Sequence, residues 1–154
     1  MANINFENAQ LRYRNFEGRK DVFNEAGKRN FWIALDQEQA EDLESQGFNI
    51  RWPKENPDID PMEDTRQPMV KVNVLFNQYG PKIVQVREMP NGQFEKRVEY
   101  TEDIAQLLDV ARMSNVDIST RSFEYDDTQH KQSLYLQEMY FEMDAGGFEN
   151  KYGF

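Results

Sequence analysis

The segment LRYRNFEGRKDVFNEAGKRNFWIAL, residues 11–35, concentrates cations and aromatic rings in a chain that is otherwise strongly acidic. It contains six of the eighteen Lys and Arg residues. Apolar and charged residues alternate at its start, turn signals lie at 15–18 and 24–27, and an apolar run occupies 30–35. The pattern predicts a strand, a basic loop and a second strand.

This mixture of cations and rings supports two interpretations. A protein that binds single-stranded nucleic acid needs cations for the phosphates and flat rings for unstacked bases. The same composition also suits two amphipathic strands whose rings fill the core while the cations are solvated. The residue types alone leave both open.

On the nucleic-acid interpretation, the cations of this segment hold phosphates, and further cations extend the groove. The predicted phosphate-binding residues are Arg12, Arg14, Arg19, Lys20, Lys28 and Arg29, extended by Lys71, Lys82 and Arg87.

The candidate stacking rings are Tyr13, Phe16 and Phe31. Strand alternation puts Tyr13 on the face opposite Arg12 and Arg14, so one of the two sets must face the core. Because burying unpaired cations is costly, we predict that Tyr13 is buried and that Phe16, near the loop, stacks on bases.

Length and composition indicate one domain. The chain has 154 residues, of which 38% are hydrophobic, and twenty are aromatic, which is enough to fill a core. There is no run of eighteen apolar residues and no charged-then-apolar leader, so we expect neither a membrane span nor a secretory signal. The expected location is the cytoplasm, that of the host cell if the protein is viral.

The chain offers little for catalysis. It has no cysteine and one histidine, His130, in the polar run DDTQHKQ that is typical of a hairpin loop. A Cys/His zinc site, a cysteine nucleophile and a disulfide framework are therefore excluded. The carboxylates of 58–64 lack the glycine and the bidentate glutamate of a calcium loop, which favours a solvated acidic loop. We expect no enzyme activity, no metal and no cofactor.

The formal charge of −10 is segregated along the chain. Residues 1–35 carry six cations against four carboxylates, and residues 69–100 carry five cations against three carboxylates. The other ranges are acidic: 36–68 carry three cations against ten carboxylates, 101–113 carry one cation against three carboxylates, and 114–154 carry three cations against eight carboxylates. The distribution is compatible with a basic face on an acidic body.

The remaining pattern is mainly β. Asp36 with Gln39 predicts a helix that ends at Gly47, and Thr101 predicts a second, longer helix with an apolar face through 104–111. Asn91-Gly92 is a strong hairpin signal. Strands are predicted at 48–52, 69–76, 82–89, 94–100, 116–125 and 133–143, with an extended loop at 53–68. This order predicts a mainly β fold with two helices, an OB-fold Greek-key β-barrel with extended hairpins.

Residues 144–154, DAGGFENKYGF, contain three glycines and show no periodicity. They predict a flexible C-terminal tail, ending in an aromatic residue, beyond a domain formed by 1–143. The rings Phe148, Tyr152 and Phe154 suit a peptide that binds a protein partner, or a latch that packs back on the barrel.

Several short motifs resemble the single-stranded DNA-binding proteins of tailed bacteriophages. They are NFEG at 15–18, GKRNF at 27–31 with the strand 32–35, GFNI at 47–50 and PKIV at 81–84. The resemblance implies an OB-fold that coats single-stranded DNA during replication and recombination, and an acidic tail that recruits replication or recombination proteins. The tail departs from that pattern, since only Asp144 and Glu149 are acidic and Lys151 offsets them.

Two other classes of function remain. An acidic DNA mimic or anti-defence inhibitor would use the carboxylates of 36–68 to occupy a basic site on a nucleic-acid enzyme. An assembly protein of a phage particle would form large oligomers without affinity for DNA. The sequence leaves the oligomeric state open, and a homodimer is compatible with it.

Overall fold

The computed structural model describes residues 3–20, 25–78, 80–126 and 128–143. Within these ranges the chain is mainly β with two α-helices, as the sequence predicts. The elements are β1 (Asn3–Phe6), β2 (Leu11–Asn15), β3 (Arg29–Ala34), α1 (Gln37–Ser45), β4 (Ile50–Arg51), β5 (Met69–Val74), β6 (Lys82–Glu88), β7 (Phe94–Glu99), a 3-10 turn (Glu102–Ile104), α2 (Ala105–Val110), β8 (Met113–Asp126) and β9 (Lys131–Met143).

The strands follow the order β1-β8-β9-β5-β3-β2, with β5 and β9 parallel and the other neighbours antiparallel. Only residues 7–10 separate β1 from β2. They continue the pairing of β1 with β8 and that of β2 with β3. Ala9 donates its N–H to the carbonyl of Val116 at 2.7 Å, and Ala34 donates to Gln10 at 3.0 Å. The first and last strands of this order, β1 and β2, are therefore parts of one nearly continuous segment. Such an order is compatible with the predicted OB-type barrel.

The core lies on one side of these strands. Phe31 pairs with Val72 and Val72 with Leu134, and all three are fully buried. Ile33 pairs with Val70 in the next inward row. Because alternate residues of a strand point to opposite faces, the residues between them point outward.

The two hairpins after β5 are extended, as predicted. Met89 donates its N–H to Gln93 at 2.7 Å across the Asn91-Gly92 turn, where Gly92 has a φ of 83°. Strand β6 then pairs in parallel with the second half of β9. The β6–β7 hairpin thus extends the sheet beyond β5.

Helix α1 starts as predicted, because the Asp36 carboxylate accepts the N–H of Gln39 at 2.7 Å. The second helix is shorter than predicted. It opens as a 3-10 turn, the Thr101 side chain makes no capping bond, and the backbone is already extended at Ala111. The predicted apolar face is confirmed, since Ile104, Ala105 and Leu108 are buried, but the 3-10 turn and the six residues of α2 share it.

The predicted strand 48–52 is reduced to Ile50–Arg51, and 53–68 forms no helix or strand. His130 lies exposed in the β8–β9 loop, as predicted, and bonds to Glu124 at 3.1 Å. No helix in the described ranges is long and apolar enough to cross a membrane.

Candidate nucleic-acid interface

Phe16 and Phe31, two of the predicted stacking rings, belong to the core. Neither side chain has exposed surface, and the two rings stack on each other with centroids 5.0 Å apart and planes inclined by 20°. Phe31 points inward because it alternates with Trp32 on β3. The prediction that these rings stack on bases is therefore wrong for this structure, since no face of either is open.

Tyr13, predicted to be buried, is 67% exposed. The register between β2 and β3 shifts between Arg12 and Asn15, and Tyr13 adopts a φ of 51° at that irregularity. A bulge of this kind breaks the strand alternation on which the prediction depended. No sequence pattern indicates this bulge, because non-glycine residues rarely adopt a positive φ.

Arg14 was predicted to hold phosphate, but it anchors the end of α2. Its guanidinium donates to the carbonyls of Leu108 and Ala111 at 2.9 and 2.7 Å. Burial lowers the pKa of Arg14, and the nearby Asp109 carboxylate partly offsets that shift. Arg14 thus satisfies carbonyls that the last turn of a helix leaves without partners.

Asp109 fixes the loop after β2 on the same helix. Its side chain is 2% exposed and accepts the backbone N–H groups of Phe16 and Glu17 at 2.6 and 3.2 Å. Arg19 approaches the same carboxylate at 3.6 Å. The polar contacts of this corner are internal to the protein: a buried acceptor, two backbone donors and two guanidinium groups hold β2, its loop and α2 together.

Arg29 is also largely internal, with a side chain 21% exposed. It bonds to the carbonyl of Phe16 and, at 2.7 Å, to the Glu102 carboxylate, while its guanidinium lies 5.4 Å from the centre of the Phe76 ring. Arg14 and Arg29 are therefore placed as supports of the fold, and their donors point to protein carbonyls and carboxylates.

The other predicted cations are not assembled into one surface. Arg19, Lys20 and Lys28 are exposed on the loop, where Lys28 approaches Glu25 at 3.5 Å. Lys82 and Arg87 are half-buried on β6. Because they are five residues apart, they lie on opposite faces of that strand and cannot both extend one groove.

Arg12 and Lys71, by contrast, meet on the outward side of β3 and β5, which we term the outer face. Trp32 pairs with Arg12 on one side and with Lys71 on the other, so the three side chains form one row across three strands. Arg51 joins them from β4, its guanidinium 5.8 Å from the centre of the Trp32 ring. Sequence reasoning missed Trp32 and Arg51 as site residues. The apolar residues Phe31 and Ile33 on either side of Trp32 are the sequence signal that would have placed the Trp32 ring on the outward side of the strand.

A cavity of about 560 Å³ opens beside this row. We term it the cationic cavity, because four of its lining residues are basic and none is acidic. It is lined by Arg12, Tyr13, Ala34, Arg51, Trp52, Pro53, Lys54, Thr65, Arg66, Gln67 and Met69. Of these cations, Arg66 is held by Asp64 at 2.9 Å, a contact that lowers the pKa of Asp64 to about 2.

The outer face continues from β5 onto β9 and β8. Asn73 pairs with Tyr135, and Tyr135 pairs with Arg121, so these side chains form a second outward row. Phe123 lies beside Tyr135 in an edge-to-face contact, with ring centroids 5.3 Å apart. None of these aromatic residues was predicted as a site residue, because their strand pattern is equally typical of a core.

Phe148, Tyr152 and Phe154, the predicted partner-binding residues, lie outside the described residues. The proposed division into a domain and a tail at 144 falls at the same boundary and stays a prediction.

Comparison with known proteins gives one family. The model of a family described as a phage ssDNA-binding domain matches residues 1–153. A comparison with curated proteins finds no match.

Among solved structures, the single-stranded DNA-binding protein from bacteriophage Enc34 in complex with ssDNA aligns with a TM-score of 0.48 and 10% identity, covering 95% of this chain and 89% of that chain. A C-terminal truncation of the Enc34 protein aligns with a TM-score of 0.45 and 12% identity, covering 95% and 88% of the two chains.

Proposed function

This chain belongs to the phage ssDNA-binding domain family, and we propose that it coats single-stranded DNA through its outer face during phage DNA replication and recombination in the host cytoplasm. The observation that carries the proposal is the row of Arg12, Trp32 and Lys71, completed by Arg51 over the Trp32 ring. In this role the protein acts by binding and not by catalysis.

The row combines the two interactions that a single strand needs. Trp32 offers a partly exposed ring to an unstacked base, and the flanking cations reach the phosphates on either side. The Arg12 guanidinium bonds to the Gln10 side chain and the Leu11 carbonyl, and neither Arg12 nor Lys71 forms an ion pair in the part of the chain that the structure describes. Both can therefore bind phosphate without giving up a carboxylate partner.

The position on the fold supports the same assignment. OB-folds bind oligonucleotides on the face of their second and third strands. If the bent segment β1–β2 counts as the first strand, β3 and β5 are the second and third along the path. The outer face is then the side of these two strands that points away from the core.

The charge of −10 does not oppose this function, because the row of Arg12, Trp32 and Lys71 contains no carboxylate and none lines the cationic cavity. Most acidic residues of 36–68 are in α1 and the segment 53–68, where Glu44 bonds to Trp52 and Asp64 to Arg66 at the edge of the cavity. A base in a duplex is stacked and paired, so the Trp32 ring could engage it only after unstacking. We therefore expect single strands to bind far better than duplex.

Titration of oligo-dT and of a matched duplex, followed by tryptophan fluorescence, tests the proposal. We expect quenching by oligo-dT and weak binding of duplex. Lys71→Ala should weaken oligo-dT binding, while the control Lys96→Ala, an exposed lysine on β7, should not. Equal affinity for duplex contradicts the proposal. Absence of oligonucleotide binding, with salt-sensitive capture of a basic protein, would select the acidic DNA mimic.

For the C-terminal residues 144–154 we propose recruitment of a replication or recombination protein. The support is compositional: three aromatic residues in a glycine-rich segment with little net charge. Deleting 144–154 should leave single-strand affinity equal or slightly higher, because the removed carboxylates repel phosphate, while partner binding is lost. A large loss of thermal stability would favour a latch on the domain instead.

A further inference from the structure

A second cavity, of about 430 Å³, lies between the β8–β9 hairpin and the segment that follows β5. We term it the hairpin cavity. Its volume is within the range of about 300–1,000 Å³ typical of small-molecule sites. It is lined by Leu75, Asn77, Gly80, Pro81, Arg121, Phe123, Tyr125, Ser133, Tyr135, Leu136 and Gln137.

Three aromatic rings contribute to its wall, and they are open. Phe123 is 41% exposed and Tyr125 is 61% exposed, while Tyr135 is half-buried and packs edge-to-face on Phe123. Leu75 adds a side chain that is 60% exposed. A single exposed apolar residue is ordinary, but a contiguous group around a concavity marks a binding site.

Polar groups at the rim define the class of ligand. The guanidinium of Arg121 forms no ion pair with a carboxylate in the described ranges. Ser133 and Gln137 can donate and accept hydrogen bonds at the edge of a planar ligand. Flat rings, a cation and a few convergent hydrogen-bonding groups suit a nucleobase attached to a phosphate.

The hairpin cavity is continuous with the outer face. Arg121 and Tyr135 share a row with Asn73, which lies two residues from Lys71 on the same side of β5. From Trp32 on β3 to Arg121 on β8 the strand path takes three steps of about 4.8 Å and a shift of two residues, about 7 Å, along β5, or roughly 16 Å in all. A strand bound at Trp32 therefore reaches the cavity within a few nucleotides.

We propose that the hairpin cavity holds one unstacked nucleobase of the bound single strand, with Phe123 and Tyr125 against the base and Arg121 on an adjacent phosphate. The inference rests on the proposed function and extends it, since it gives the DNA a second stacking site at the far end of the outer face.

Phe123→Ala and Tyr125→Ala test the proposal on the full chain, with Phe94→Ala as matched control. Phe94 is 67% exposed but lies on β7, outside the outer face. We expect the two cavity variants to weaken binding of dT10 by roughly 5- to 150-fold, the usual effect of removing one stacking ring, and Phe94→Ala to leave it unchanged. Two variants are used so that a folding defect in one does not decide the result.

An abasic 10-mer, which keeps the sugar-phosphate chain but has no bases, identifies what the rings contact. Phe123→Ala should not change affinity for this oligomer, because it has no base to lose, whereas Arg121→Ala should weaken both ligands. An equal effect of Phe123→Ala on both oligomers would overturn the assignment of a base.

The outcome also separates this inference from the proposed function. If Lys71→Ala weakens dT10 binding and neither cavity variant does, the outer face binds DNA and the hairpin cavity does not. If Lys71→Ala, Phe123→Ala and Tyr125→Ala all leave dT10 binding unchanged, both proposals fail. If Phe123→Ala and Tyr125→Ala abolish binding of a peptide of residues 144–154 but retain dT10 binding, the hairpin cavity binds the tail instead of a base.

Discussion

Phe31 and Trp32 are adjacent in the chain, yet they serve two different regions of the molecule. Phe31 points into the core, where it stacks on Phe16 and has no exposed surface. Trp32 points to the outer face between Arg12 and Lys71. The difference comes from strand alternation alone. Rings and cations that look equivalent in composition are thus divided between holding the fold and offering a surface.

The arginines of the same segment divide in the same way. Arg14 donates to backbone carbonyls and Arg29 donates to a carbonyl and to the surface carboxylate of Glu102, whereas Arg12 faces outward beside Trp32. A basic segment is therefore not a binding site as a whole. Which residues can reach a ligand depends on whether each donor is already used.

Removal of a core ring should have the largest effect. Phe16→Ala should lower the free energy of unfolding by about 3–5 kcal/mol, because it leaves a cavity beside Phe31. Urea denaturation measures the loss, and Tyr13→Ala, whose ring is exposed, should change stability by no more than about 0.5 kcal/mol. If Phe16→Ala kept full stability but lost oligo-dT affinity, Phe16 would be a stacking ring after all.

Asp109→Asn should have the next largest effect. An amide has one acceptor oxygen where the buried carboxylate offers two to Phe16 and Glu17, so one backbone N–H loses its partner. The expected loss of stability is about 1–3 kcal/mol, with oligo-dT affinity unchanged for the folded protein. Asp103→Asn, at an exposed position, serves as control, and an equal loss there would contradict the account.

Neutral variants of the outer face should change the salt dependence. Lys71→Gln and Arg51→Gln should each reduce the slope of log K against log salt concentration by about 0.7, the value for one phosphate contact on a single strand. Lys96→Gln, on β7, should leave the slope unchanged. A slope that falls with Lys28→Gln but not with Lys71→Gln would move the phosphate contacts to the segment between β2 and β3.

The smallest effect concerns Arg66, which lines the cationic cavity but bonds to Asp64. The lowered pKa of Asp64 means that the ion pair is complete above the unfolded pKa of about 3.9 and is lost as the pH falls toward 2. An NMR titration of the Asp64 carboxyl group should have its midpoint at about 2. A midpoint near 4 would show that Arg66 is not held and is available to phosphate.

Much of the fold follows from local signals in the sequence. Asp36 with Gln39 fixed the start of α1, and Asn91-Gly92 fixed the β6–β7 turn, because both depend on residues close in the chain. The resemblance also indicated the family that the whole-chain match supports.

The site could be predicted only in part. The composition of 11–35 pointed to two strands of the candidate site, β2 and β3, but no local pattern showed the bulge at Tyr13 in their pairing. The anchoring of Arg14 on α2 depends on contacts about a hundred residues apart. Arg121, Phe123 and Tyr135 reach the outer face through the pairing of β9 with β5, which no local pattern encodes.

The most direct test of the central claim is an NMR titration of the isotope-labelled protein with oligo-dT. We predict that the indole N–H signal of Trp32 and the backbone amides of Lys71, Asn73 and Arg121 shift together, while the amides of β7 stay in place. Shifts confined to the segment between β2 and β3, with the Trp32 indole unchanged, would contradict the assignment of the outer face as the DNA-binding surface.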